Sequence, residues 1–296
     1  MEVGSAISHR YQCGEAVPAL MNAAVGSAAP LPPARLLKGE LARVIYRLPQ
    51  VLPGVVCFLP EGAPGCKSMM NQSLFLVGEI GGNDYNHPLY DGVSITKIRS
   101  FTPSVIAKIS STITELIELG AKTLVVPGNL PIGCLPDYLM IFKSDRKKDY
   151  ELETGCLRWM NEFSQYHNKL LINELERLRK LHPDVAIIYA DYYGAAMAIF
   201  LSPEQFGIED PLVACCGGRG PYGVSAYARC GYGEFNVCHD PEKYASWDGH
   251  HPSEAAYKVI ATGLLRGSYT KPSFATTTNS CTQITDLGSY VEHNAL

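Results

Sequence analysis

Apolar residues form short runs that alternate with longer amphipathic stretches once the chain passes residue 70. Three such runs lie at 73–77, 123–126 and 185–189, and the first two end at the turn-forming residues Gly78 and Pro127. Short, mostly apolar runs of this kind are typical of strands that are buried on both faces of a parallel sheet. We therefore predict three buried strands in this part of the chain.

Between and after these runs, apolar positions recur at the spacing of α-helices. One helix is predicted from Pro103 to Gly120 and a long one over 156–181. A last helix is predicted over 254–266, with Ser253 as its N-cap. Because strands alternate with helices, the pattern predicts an α/β fold with a parallel sheet.

The beginning and the end of the chain lack this regular pattern. The first 70 residues are predicted to be mostly loop, with a short helix near 38–48, because 21–33 is rich in Ala, Pro and Gly and several prolines follow over 49–64. Only a weak match to a known pattern is found over 1–64. The tail over 271–296 is rich in Ser and Thr. We therefore predict one domain over 1–270, followed by this tail.

Composition and charge exclude several classes of protein. The 296 residues are 46 % hydrophobic and 18 % charged, as in a folded globular chain. The net charge is -4, from 25 Lys and Arg against 29 Asp and Glu, which argues against a nucleic-acid partner. The longest uncharged stretch, 16–34, contains four prolines and is a poor membrane span, so no integral membrane contact is predicted.

The ten cysteines bear on the compartment of the protein. No CxxC pair occurs, so a cysteine-based zinc site is not predicted, and we predict no metal or cofactor. The cysteines form disulfides in an oxidising compartment or remain as buried free thiols. The glycosylation sequon Asn71-Gln72-Ser73 agrees with secretion, whereas residues 1–20 have no continuous apolar stretch and are not a signal peptide.

Asp248 and His251 form the first candidate site, directly before the last predicted helix. A general base needs an imidazole whose second nitrogen is held by a carboxylate, and this spacing can supply such a pair. The alternative is that Asp248 caps a turn and His251 is a surface histidine. If the pair is functional, the two side chains lie within hydrogen-bond distance.

Asn83 is the second candidate, in a Gly-rich segment that follows the first predicted strand. The carboxyl ends of strands are where open α/β sheets place their sites. An Asn amide at this place can donate to an oxyanion, as in acyl transfer. The alternative is a Gly-Gly turn stabilised by an Asx hydrogen bond.

Together these segments resemble the plant GDSL esterase/lipase family of the SGNH hydrolases. The matching motifs are G-G-N-D at 81–84, V-V-P-G-N-L-P-I-G-C at 125–134, Y-A-D-Y-Y at 189–193, C-C-G-G at 215–218 and W-D-G-H-H-P-S-E-A-A-Y at 247–257. The resemblance implies a flavodoxin-like three-layer α/β/α sandwich around a five-stranded parallel sheet. It also implies secretion and the hydrolysis of carboxylic esters by Ser, His and Asp.

By this resemblance, Asn83 matches the oxyanion-hole Asn, His251 the catalytic base and Asp248 the carboxylate that orients it. His250 falls at a variable position of the family, so we assign it no role and expect an exposed side chain. The family's nucleophile lies in a G-D-S motif near the mature N-terminus, and no Gly-Asp-Ser occurs in this sequence. We therefore predict no nucleophile in this chain and a sheet that lacks its first strand.

A second family motif has a weaker counterpart near the start of the chain. N-A-A-V-G-S-A-A-P-L at 22–31 resembles the segment that supplies the oxyanion-hole glycine, and it makes Gly26 and Ser27 candidate backbone donors. The alternative is a loop of small residues with chance similarity. If the alignment holds, the first strand, the nucleophile and the signal peptide are absent from this chain.

Two functions remain open at this point. The resemblance implies hydrolysis of a small-molecule or lipid ester, whereas the absent serine motif implies an inactive, truncated relative that at most binds esters. We expect disulfides between Cys134 and Cys156 and between Cys57 and Cys66. The sequence leaves open how four further cysteines pair, with Cys215 or Cys216 joined to Cys230 or Cys238.

Overall fold

The computed structural model of the chain describes Ser68 and residues 70–274. From residue 72 on, the seven α-helices are α1 (Gly82–Tyr90), α2 (Ile95–Arg99), α3 (Thr102–Glu118), α4 (Pro136–Ile141), α5 (Arg158–Leu181), α6 (Tyr192–Leu201) and α7 (Glu254–Leu265). The eight strands of the same region are β1 (Leu74–Leu76), β2 (Thr123–Pro127), β3 (Ala186–Ala190), β4 (Asp210–Ala214), β5 (Cys216–Gly217), β6 (Asn236–Val237), β7 (Tyr244–Ser246) and β8 (Thr270–Lys271).

The main sheet has the strand order β1-β2-β3-β8. Its first three strands are parallel, with Leu74 beside Thr123 and Thr123 beside Ala186. The two-residue strand β8 follows α7 and runs antiparallel to β3, so the sheet is mixed rather than wholly parallel. Among the described residues, β2 is the only strand that pairs with β1.

Helices cover both faces of this sheet, because successive strand residues point to opposite sides. One face contributes Phe75, Leu124 and Ile187 to a core shared with α3 and α5. The other face contributes Val125 and Ile188 to a second core shared with α6 and α7. The predicted α/β sandwich is therefore confirmed in this region, and continuous apolar runs such as 123–126 are explained by burial on both faces.

The predicted elements match the observed ones to within one or two residues at their ends, and the shift at the start of the long helix has a visible cause. This helix begins at Arg158 rather than at Cys156, because Cys156 forms a disulfide and the N–H of Leu157 donates to the carbonyl of Gly133. The predicted short helix near 38–48 and most of the tail over 271–296 lie outside the described residues.

Three disulfides are present in the described region, and no cysteine there is free. They join Cys134 to Cys156, as expected, and pair the remaining four cysteines as Cys215–Cys238 and Cys216–Cys230. The expected pair of Cys57 and Cys66 lies outside this region. No helix between residues 70 and 274 is long and apolar enough to cross a membrane.

Candidate active site

Asp248 and His251 lie in a tight turn between β7 and α7. The turn is closed at its base by a hydrogen bond from the backbone N–H of Trp247 to the carbonyl of His251, 2.8 Å long. Directly after it, the hydroxyl of Ser253 accepts from the N–H of Ala256 at 3.1 Å and caps α7, as predicted. The start of a helix thus fixes the turn that carries both candidate residues.

The carboxylate of Asp248 organises this turn with both of its oxygens. Oδ1 accepts from the backbone N–H of His250 at 2.9 Å and of His251 at 2.7 Å. Oδ2 accepts from Nδ1 of the His251 ring at 2.7 Å. The two side chains therefore form the hydrogen bond that their spacing predicts. The alternative, in which Asp248 caps a turn, is also true of this residue, because Asp248 caps the turn with one oxygen and bonds the imidazole with the other.

Gly249 is required at the centre of this turn. Its φ of +93° lies in the left-handed region, and a Cβ would lie 2.5 Å from Cγ1 of Val224 and 3.0 Å from Oδ1 of Asp137. Its carbonyl also accepts from the backbone N–H of Asp137 at 3.1 Å. The turn is therefore pressed against the start of α4, with no room for a side chain at residue 249.

The electrostatics of the pair favour an ionised carboxylate beside a protonatable imidazole. Burial alone would raise the pKa of Asp248, but the hydrogen bond and charge of His251 and two backbone N–H donors together lower it to about 2. The hydrogen bond from its ring to Asp248 raises the pKa of His251 against the opposing effect of burial, and the carboxylates of Glu79 and Asp137 add to the rise. The side chains of His251 and Asp248 remain 45% and 25% exposed, so the ring is accessible.

His250 is not the exposed side chain that the sequence suggested, because it is partly buried. Its Nδ1 lies 3.0 Å from the hydroxyl of Tyr90, and its Nε2 lies 3.0 Å from Nδ2 of Asn86. Its ring packs against the rings of Tyr90 and Tyr138. The expectation failed because these partners lie on α1 and α4, more than a hundred residues away in the chain, and no local pattern connects them to His250.

Asn83 lies in the first turn of α1, and its side chain is exposed. Gly81 precedes this helix with a φ of +106°, and a Cβ there would lie 2.9 Å from Cγ1 of Val105. Asn83 and Asn86 are three residues apart and share a helix face. Asn86 forms a hydrogen bond with the ring of His250, which directly precedes His251. The structure thus brings α1 against the turn of His251, while the oxyanion role of Asn83 stays a prediction.

The other sequence-predicted residues lie outside this geometry. Gly26 and Ser27 are not among the described residues. The two serines that flank the turn have other partners: Ser246 donates to the backbone carbonyl of His251, and Ser253 donates to the carbonyl of Tyr244. Neither is therefore a candidate nucleophile. Between residues 70 and 274, no group of three His, Cys, Asp or Glu side chains is arranged to hold a metal ion.

An open apolar pocket of about 410 Å³ adjoins His251. Its walls include Leu130, Leu135 and Phe200, with Pro252 beside the imidazole. A larger apolar pocket of about 610 Å³ lies between the strands β1 and β2 and helix α7, but neither His251 nor Asp248 lines it. Of these two pockets in the described region, the smaller one is lined by His251.

Comparison with known proteins identifies the family. The family model of GDSL-like lipases and acylhydrolases matches residues 15–264. The chain belongs to this family. It is 50% identical to the GDSL esterase/lipase At1g28600 of Arabidopsis thaliana over 215 residues, which cover 72% of this chain and 55% of that protein.

A second relative of the GDSL family carries a more specific name. The chain is 43% identical to the sinapine esterase of Brassica napus over 226 residues, which cover 76% of this chain and 57% of the relative. At the level of the family, the function is the hydrolysis of esters. The chain spans little more than half the length of these relatives, so the activity of the whole protein is a matter for proposal.

Proposed function

We propose that this chain carries the acid–base part of an ester hydrolase site, with His251 as the general base and Asp248 as the residue that orients it. The observation that supports this most directly is the 2.7 Å hydrogen bond between His251 Nδ1 and Asp248 Oδ2. A carboxylate in this position keeps the proton on Nδ1 and leaves Nε2 free to accept one from a nucleophile. It also stabilises the imidazolium that forms.

The shifts in pKa support the same roles. With a pKa of about 2, Asp248 stays ionised at neutral pH and does not take the proton itself. The raised pKa of His251 makes it a better proton acceptor during attack, and the imidazolium can then protonate the leaving alcohol. One proton thus moves from the nucleophile to the leaving group, with the ring as its carrier.

Asn83 is the proposed oxyanion donor. Its place in the first turn of α1 puts its amide near the positive end of a helix of nine residues, where negative charge is stabilised. A preorganised donor of this kind contributes most where charge develops in the transition state. Gly26 and Ser27 remain proposed backbone donors on the basis of the family resemblance alone.

The apolar pocket beside His251 favours an ester with an apolar acyl group. Leu130, Leu135 and Phe200 offer no charge to a substrate, so a hydrocarbon or aryl group fits this wall better than a charged one. The substrate class is accordingly a small-molecule or lipid ester. The three disulfides and the exposed Asn71 of the sequon support secretion as the setting of this activity.

The second candidate function is ester binding without hydrolysis, and the absence of a Gly-Asp-Ser motif from the sequence favours it for the chain as written. The site would then keep its pocket but lack the serine on which acyl transfer in this family depends. In subtilisin, removal of the nucleophile alone costs about 10⁶ in kcat. We therefore expect this chain to hydrolyse p-nitrophenyl acetate no faster than its His251→Ala variant.

A chimera separates the two functions. A G-D-S segment of the family, joined upstream of Met1, should raise the rate by several orders of magnitude, and His251→Ala should abolish the gain. A folded chimera that binds the ester but does not hydrolyse it would support the binding function instead. If the chain as written is already active and Ser27→Ala removes that activity, Ser27 is the nucleophile and the expectation of a serine-less site is wrong.

A further inference from the structure

We propose that His250 is a positioning residue for the His251–Asp248 pair, held as a neutral imidazole with its proton on Nδ1. It anchors the turn of the pair to α1 and α4 through a chain of side-chain hydrogen bonds. The function of the pair rests on the hydrolase proposal above, but the protonation state and the anchoring role of His250 can be tested without activity.

The hydrogen bonds around His250 all run in one direction. The hydroxyl of Tyr90 donates to Oδ2 of Asp137 at 3.0 Å, and a carboxylate can only accept. With its single proton committed, the oxygen of Tyr90 must accept from Nδ1–H of His250. Nε2 then carries a lone pair and accepts from the amide of Asn86, whose Oδ1 accepts from the hydroxyl of Tyr138 at 2.7 Å.

This arrangement gives every member of the network one consistent role. A proton on Nε2 would face the NH₂ group of Asn86 and would require its amide to turn over, away from the donor of Tyr138. Asn86 is buried, so an unmatched donor there would be costly. The network therefore selects the Nδ1–H form of His250.

The hydrogen bonds of His250 hold the turn against neighbouring helices, whereas those of Asp248 act within the turn. Asp248 ties the backbone N–H groups of His250 and His251 within the turn. The ring of His250 then ties the turn to two helices, through Tyr90 and Asn86 of α1 and through Asp137 beyond Tyr90. Without the ring, the contact of residue 250 with α1 would be lost.

A neutral His250 also avoids charge repulsion with the adjacent ring of His251. The ring centroids of His250 and His251 are 5.2 Å apart, so a positive charge on one ring disfavours a charge on the other. Burial, and then the charge of His251, lower the pKa of His250 to about 4. The titratable and charged groups that face His250 or its network are His87, Tyr90, Asp137, Tyr138, Arg229, Asp248 and His251.

Nuclear magnetic resonance of the full chain tests the protonation state directly. Long-range ¹H–¹⁵N spectra of labelled protein should show His250 protonated at Nδ1 only, with no titration between pH 8 and pH 5. A ring protonated at Nε2, or one that titrates near pH 6.5, would overturn the assignment. This result does not depend on whether the chain hydrolyses any ester.

Variants test the positioning role. His250→Phe keeps a ring but removes both hydrogen bonds, and it should weaken or abolish the downfield Nδ1–H signal of His251 that reports its bond to Asp248. His250→Asn retains an N–H donor for Tyr90 and should restore much of that signal. The control, His239→Phe, changes an exposed histidine and should leave the signal of His251 unchanged.

Two outcomes distinguish positioning from simple packing. A lower melting temperature in His250→Phe with an unaltered His251 signal would refute the proposal. If His250→Phe does not fold, Tyr90→Phe removes one of the two hydrogen bonds between the His250 ring and α1 and should weaken the His251 signal in the same way. In the active chimera, His250→Phe should lower kcat at least tenfold with little change in KM. If the chimera is inactive but the spectra behave as expected, only the hydrolase proposal fails.

Discussion

Replacement of Asp248 by Asn tests the candidate pair most sharply, because it removes the charge and preserves the size. Oδ1 of the new side chain can still accept the backbone N–H groups of His250 and His251. Its NH₂ group, however, would face Nδ1 of His251, which must then accept rather than donate. The proton of the ring would move to Nε2, the nitrogen that a general base needs free. The same change in a serine protease lowers kcat about 10⁴-fold.

The stability cost of this change follows from the pKa of Asp248. A pKa lowered from 3.8 to about 2 corresponds to about 2 kcal/mol of folding free energy when the carboxylate is ionised. Because the folded-state pKa is the lower one, this stabilisation is complete above about pH 4 and is lost as the pH falls through 2. At pH 3 the remaining contribution is about 1 kcal/mol.

His251 limits the stabilisation from the alkaline side. Its pKa is raised in the folded chain, so its share of the stabilisation is present below the ordinary histidine pKa and is lost as the pH rises through the folded-state value. The stability difference between the parent chain and Asp248→Asn should therefore be largest near pH 5.5 and smaller at both pH 3 and pH 9.

Urea denaturation at these three pH values measures the difference. The control is Asp184→Asn, which removes an exposed carboxylate in the turn between α5 and β3 and should change the free energy of unfolding by no more than about 0.5 kcal/mol. A loss of stability in Asp248→Asn that is the same at all three pH values would refute the electrostatic explanation. No loss at any pH would show that the ion pair contributes nothing to folding.

Two further predictions concern the frame around the site. Gly249→Ala should lower the free energy of unfolding by about 3 kcal/mol, because the new Cβ would lie 2.5 Å from Val224. The control, Gly207→Ala, has a φ of +71° and no atom within 4 Å of the new Cβ, so it should lower the free energy of unfolding by less. Equal losses in the two variants would exclude crowding as the cause. Replacement of Cys216 and Cys230 by Ala opens a cross-link that spans 14 residues and should cost about 3 kcal/mol in urea denaturation, and an unchanged midpoint would contradict this.

The main sheet was predictable because its strands carry a strong local signal. The runs at 73–77, 123–126 and 185–189 are apolar on both faces, and the structure places helices on both faces of β1, β2 and β3. The strands β5, β6 and β8 have two residues each, which is too short for any periodicity. The antiparallel direction of β8 depends on tertiary pairing with β3 and has no counterpart in the local sequence.

The candidate site was predictable only where its contacts are local. Asp248 and His251 are three residues apart, so their hydrogen bond follows from a single turn. His250 bonds Asn86, 164 residues earlier in the chain, and Tyr90, 160 residues earlier. These contacts form only when the chain folds α1 against the turn that precedes α7, and no local spacing in the sequence predicts them.

The two adjacent histidines show how one turn can separate two protonation roles. His251 faces an ionised carboxylate through Nδ1, and that hydrogen bond raises its pKa. His250 bonds a tyrosine hydroxyl and an amide instead, and burial, followed by the charge of His251, lowers its pKa to about 4. Because the pKa of His251 is raised and that of His250 is lowered, a proton taken up by the pair of rings resides on His251. Opposite shifts in neighbouring groups are a means of assigning acid–base roles, and here they support the proposed roles of His251 in proton transfer and of His250 in anchoring.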